Sequence, residues 1–199
     1  MTGPDRVKDL LDRLHSGGAG RKHGAGRKLR RLAEIRPDLL APHFDAFVRL
    51  LDDSNKLLQW EAIFVLSHLA RADADRRFDA VFDRFFAPIR GPVMITAANV
   101  IVAGARIASA RPSWADRVAR EIRTVAAARF QTAECRRIAI GHAIQTFDEI
   151  YPLLRDKEPV LRFVRRQAKC ARPATRAKAQ RFLKRHAPVK ACRRIARGP

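Results

Sequence analysis

At 199 residues and 47% hydrophobic content, the chain can enclose one sizeable core and is too apolar to be wholly disordered. Its formal net charge of +21 attracts nucleic acid, anionic membrane surface or acidic protein whatever the fold. Three widely spaced cysteines, Cys135, Cys170 and Cys192, with no Cys-x-x-Cys, argue against a disulfide or metal framework.

Ala, Leu and Arg dominate and no strictly alternating β-branched run occurs, so the class expected is all-α. Asp5 to Leu14 reads as a short amphipathic helix with Val7, Leu10, Leu11 and Leu14 on one face, ended by Ser16-Gly17-Gly18. A tandem Gly-Ala-Gly-Arg-Lys, at 18–22 and 24–28, reads as a flexible connection and a solvated basic turn. It fits no phosphate-binding fingerprint. The next helix runs from about Gly26 to Ile35, closed ahead of Pro37. Asp38 to Leu51 follows, with Pro42 tolerated only in a first turn or at a kink. After an acidic turn in which Asp53, Ser54 and Asn55 can cap a helix, Leu58, Ala62, Val65, Leu66 and Leu69 form one apolar face.

Asp75 to Phe86 is the next expected helix, with Phe78, Val81, Phe82 and Phe85 inward; Asp75, Asp79 and Asp83 beside Arg76, Arg77 and Arg84 read as a solvated ion-pair face. Gly91-Pro92 breaks the chain before an apolar helix to Ala108. Interrupted by Asn99, Gly104 and Arg106, it reads as buried rather than membrane-spanning. Residues 1–5 have no basic region followed by an apolar run. The chain is therefore expected to be cytoplasmic, with no membrane insertion. Pro112-Ser113 opens a helix carrying Trp114, Val118, Ile122 and Val125, and Thr132 caps one reaching about Phe147. Pro159 to Cys170 and Pro173 to His186 are the last helices, the latter with Ala174, Ala177, Phe182 and Leu183 inward. Residues 1–186 form one expected domain, and 187–199 a basic, disordered tail.

Leu50-Leu51, Asp53, Leu58, Ala62, Leu66, Ser67 and Leu69 resemble the second half of a HEAT repeat, the helix-turn-helix unit of the HEAT/armadillo superfamily. Gln59 stands where that family has an Arg, which questions the usual Asp–Arg contact between repeats. Leu153-Leu154, Asp156 and Leu161-Arg162 resemble the same frame, as do Cys135-Arg136 with Ala139 and, more weakly, Met94 with Ala98. Anchors at Leu58, Met94, Cys135 and Leu161 are 36, 41 and 26 residues apart, the last implying a shortened first helix. The resemblance implies a right-handed α-α superhelix, a HEAT-like solenoid of about four to five helical hairpins, with second helices lining a concave binding face.

Catalytic constellations are not found. The six histidines are scattered, no Gly-x-Ser-x-Gly elbow occurs, and Cys135 with His142 seven residues on reads as packing rather than a dyad. No enzyme, cofactor, metal or small-molecule substrate is therefore expected. HEAT-like alkylpurine DNA glycosylases resemble the chain in charge and repeat type; Trp60, Trp114, Asp116 and Phe163 are the only aromatic and acidic material for their cleft, and no motif matches residue by residue. Binding remains. Residues 155–199 hold 16 Lys and Arg against two acids. Trp60 stands opposite its helix's core stripe, either as a contact between repeats or as an exposed anchor, and Arg137 and Phe163 hold the corresponding places later. With Arg136, Arg162, Arg165, Arg166 and Lys169 they make an expected cationic wall with an aromatic set in it. The first expectation is a protein partner with an acidic surface; the second is DNA or RNA.

Overall fold

Helix-breaking signals and apolar stripes divide the chain as their chemistry demands. The computed structural model describes residues 3–16 and 18–186; the expected tail and Cys192 lie outside them. These residues are all-helical, in five successive pairs. The pairs are α1 (Gly3–Ser16) with α2 (Ala19–Ile35); α3 (Pro37–Leu40) and α4 (Phe44–Leu50) with α5 (Lys56–Leu69); and α6 (Arg77–Phe86) with α7 (Met94–Ala110). Then follow α8 (Ala115–Arg123) with α9 (Ala133–Ile150), and α10 (Glu158–Gln167) with α11 (Pro173–His186). The second helices pack on one another in order, α2 on α5, α5 on α7, α7 on α9 and α9 on α11, while α8 meets α10 and α1 meets α3.

Local chemistry explains most boundaries. Asn55 accepts the Leu57 N–H at 3.0 Å and Thr132 accepts the Cys135 N–H at 3.1 Å, capping α5 and α9. Pro42 sits in a 3-10 turn, Ala41–His43, that interrupts the helix expected over Asp38 to Leu51. Helix α6 begins at Arg77, because Arg76 is in the left-handed region at φ 56° and the buried Asp73 accepts the N–H groups of Arg77 and Phe78 at 2.8 and 2.9 Å.

Three expectations are corrected. The glycine-rich 18–28 segment is not a flexible connection but lies almost wholly within α2. Ala25, Leu29 and Ala33 are buried at helical spacing, and packing against α1 and α5 outweighs a cost of about 1 kcal/mol for each interior glycine. Gly26 is required there, since a Cβ would stand 2.6 Å from Cγ of Glu61. Second, α10 packs beside α8, so Leu161 and Arg162 lie on the first helix of the fifth pair and the second is α11. The 26-residue interval arose from comparing a first helix with second helices. Third, α11 buries Thr175, Ala179 and Phe182, while Ala174 and Ala177 are exposed.

Arginines bind the first-helix layer together across pairs. Arg117 meets Asp83 at 3.1 Å, Arg90 meets Glu121 at 2.8 Å, Arg111 meets Asp73 at 2.9 Å, and Arg84 pairs with Asp52, over separations of 31 to 38 residues. Gln59, at the position of the family's Arg, instead donates to the Leu51 carbonyl at 2.5 Å within its own pair.

Candidate partner-binding face

Each junction between second helices carries a polar link. Arg30 on α2 donates twice to Glu61 on α5, at 3.1 and 3.0 Å. The Trp60 indole N–H donates to Oγ1 of Thr96 at 2.9 Å, Thr146 to the Ile101 carbonyl at 3.2 Å, and Thr175 to the Arg137 carbonyl at 2.8 Å. Trp60 is thus a half-buried joint between the second and third pairs. It acts as a contact between pairs.

The expected cationic wall is divided. Arg136 is exposed and Arg137 half-buried on α9, in the second-helix layer, whereas Arg162, Arg165 and Arg166 are exposed on α10 in the other layer. Arg165 pairs with Glu158 at 2.9 Å, Arg166 donates to the Arg162 carbonyl at 3.4 Å, and exposed Lys169 follows the helix. Phe163 is not set in a wall at all: it is 5% exposed and packs edge-on against Phe147 with ring centroids 5.4 Å apart. Its neighbours Val160 and Val164 are buried on the same face, which makes Phe163 part of the stripe by which α10 enters the core. Trp114 likewise packs against Phe78 and Phe82, at 5.9 and 5.3 Å.

The second-helix layer has another accessible face. On α7, Ile95 is 49% and Val102 37% exposed, and Asn99 and Arg106 share their stripe at spacings of three and four. On α5, half-buried Phe64 and His68 stand four residues apart. A hollow of about 620 Å³ is lined by Glu34 at the end of α2, Ser67, His68 and Arg71 around the end of α5, Ala105, Arg106 and Ser109 on α7, and Glu149 on α9. Four successive second helices therefore border one depression.

Charge in the hollow is unevenly committed. Besides its bond to Glu61, Arg30 stacks over Phe64 at 4.1 Å, with Arg106 5.8 Å from the same ring. Arg71 donates to the carbonyls of Ala33, at 3.4 Å, and Glu34, where α2 ends. Arg106 has no hydrogen-bond or ion-pair partner among the described residues, and its Nη1 is shielded from solvent. Burial chiefly, then the charges of Arg106, Arg71 and Arg30 against the opposing Glu34, holds His68 below its ordinary 6.5. His142 on α9 is lowered chiefly by burial, then by Lys178 and Arg172.

Sequence reasoning missed Phe64, His68, Ile95, Val102 and Arg106 as a set. Helix α7 has apolar or small residues on every side, so its periodicity cannot show which face is left open.

No family model and no curated protein matches the chain. A crystal structure of an engineered protein from the Northeast Structural Genomics Consortium is similar to it, covering 89% of this chain and 77% of that one at a TM-score of 0.51. At 16% identity, this likeness concerns the fold alone.

Proposed function

We propose that the chain is a HEAT-like helical solenoid with a right-handed superhelix, a non-enzymatic scaffold that holds a protein partner with an acidic surface. The repeated pair, with second helices stacked in order and links recurring every 31 to 45 residues, supports the solenoid reading. The observation that carries the binding reading is the hollow bordered by four second helices, with half-buried Phe64 near it under two guanidiniums and the exposed Ile95 and Val102 further along the same stripe of α7. An accessible aromatic with two guanidiniums near its ring, and exposed apolar residues along the same helix face, suit an apolar anchor with a carboxylate beside it.

A second reading, nucleic-acid binding, is supported by exposed cations on the last pair: Arg162, Arg166, Lys169, Arg181 and Lys184 have no acidic partner among the described residues. The two differ in where they touch and in salt response. A photo-crosslinking residue at Val102 should capture a discrete protein, while one at exposed Arg49 in the first-helix layer should not. Affinity for that protein should change by less than about tenfold between roughly 50 and 200 mM salt, against about three to five orders of magnitude for binding through six to ten phosphates. Crosslinking of nucleic acid alone, or a collapse of that steepness, would transfer the function to the basic last pair.

A further inference from the structure

We infer that the hollow is a receptor for a single carboxylate of the partner, held by the Arg106 guanidinium with the His68 ring and Ser109 hydroxyl beside it. This rests on the scaffold reading and names the chemistry of its site. Three arginines approach this part of the face. Arg30 is bound to Glu61 and Arg71 to the end of α2, which leaves Arg106 uncommitted. Nη1 of Arg106 is drawn out of water without an acceptor, which is costly for that N–H group, and an arriving carboxylate removes the cost with charge-assisted hydrogen bonds. His68 and Ser109 border the same space and supply further donors.

The charge of the lining disfavours a dianion. Among the lining residues Arg71 and Arg106 face Glu34 and Glu149, and Glu34 is also paired to exposed Arg31 at 3.0 Å. Two cations against two carboxylates leave nothing in excess to offset a second negative charge on the ligand. A dianionic phosphate would meet Glu34 and Glu149 at the border. The apolar stripe of Ile95 and Val102 lies on the same face of α7 as Arg106, so an apolar side chain could sit a few residues from the carboxylate along one peptide.

The carboxylate can be an Asp or Glu side chain or a chain terminus. The test is NMR of the full chain with labelled arginine and histidine, using sodium acetate against sodium chloride at equal ionic strength. The Arg106→Lys variant, checked for folding by its amide spectrum, assigns the Arg106 Nε–H signal. The expected result is a saturating shift of Arg106 and His68 with acetate and none with chloride. Shifts spread without saturation over many surface arginines would overturn the inference, as would a larger Arg106 response to inorganic phosphate than to acetate. Two peptides then separate the sources: acetyl-Ala-Leu-Ala with a free terminus, and acetyl-Leu-Ala-Glu-Ala with an amidated one. A response at Arg106 to either supports the receptor and identifies its source; a response to neither overturns it. With the protein crosslinked at Val102, Arg106→Lys should weaken affinity by about tenfold or more. Capture of that protein without an acetate response sinks the receptor and keeps the scaffold, and an acetate response without capture does the reverse.

Discussion

Glu61 and Arg30 are unequal partners in their ion pair: the Glu61 side chain is 2% exposed, that of Arg30 41%. Removing Arg30 strands a carboxylate in the interior, whereas removing the charge of Glu61 leaves a guanidinium that can turn to water. Arg30→Ala should therefore cost about 3–5 kcal/mol and Glu61→Gln about 1–2 kcal/mol in urea unfolding; equal costs would mean that Glu61 is hydrated. Gly26→Ala should cost about 1–3 kcal/mol by displacing Glu61. The histidines set a pH dependence. Because His68 and His142 are held below 6.5 in the fold, the unfolded chain takes up protons first on acidification. Their contribution to stability is intact above about 6.5 and declines as pH falls below it, until the folded-state values are passed. Replacing both by glutamine should flatten the fall in melting temperature between about pH 7 and 5.5. An unchanged slope would assign acid sensitivity to carboxylates alone.

Elements are joined by a few polar links laid into apolar junctions. Thr96, Thr146 and Thr175 are buried, and each binds the neighbouring second helix. Thr175→Val keeps the shape and removes the hydroxyl bonded to the Arg137 carbonyl; it should cost about 1 kcal/mol, measured by thermal melts. Gly141→Ala should also loosen the α9–α11 junction, since its Cβ would stand 3.0 Å from Oγ1 of Thr175. The caps at Asn55 and Thr132 were legible in the sequence, because capping depends on residues two or three positions away. The extent of α2 was not. Its glycines signal a turn locally, and only the burial of Ala25, Leu29 and Ala33 against other helices overrides them.

For the whole molecule the charge divides into two populations. Arg84, Arg90, Arg111 and Arg117 are taken up by acids of neighbouring pairs, while the excess of +21 remains as self-repulsion. Exposed pairs contribute about 0.2–1 kcal/mol each, and screening weakens them less than it relieves the repulsion. Raising salt from about 50 to 500 mM should therefore raise the melting temperature; a fall would show that the ion-pair ladder outweighs the excess.

Helical class, the caps, and most inward faces were settled by the sequence itself, because they follow from spacings of three and four residues and from proline. The layer to which each helix belongs was decided by tertiary packing. That is why Arg162 and Phe163 stand in the first-helix layer, the latter in the core, and not on a binding wall. The same packing commits Arg30 and Arg71 to partners 31 to 38 residues away and leaves Arg106 without a hydrogen-bond or ion-pair partner among the described residues. Whether a cation is a staple or a receptor depends on what a distant segment brings beside it, and local periodicity does not encode that distance.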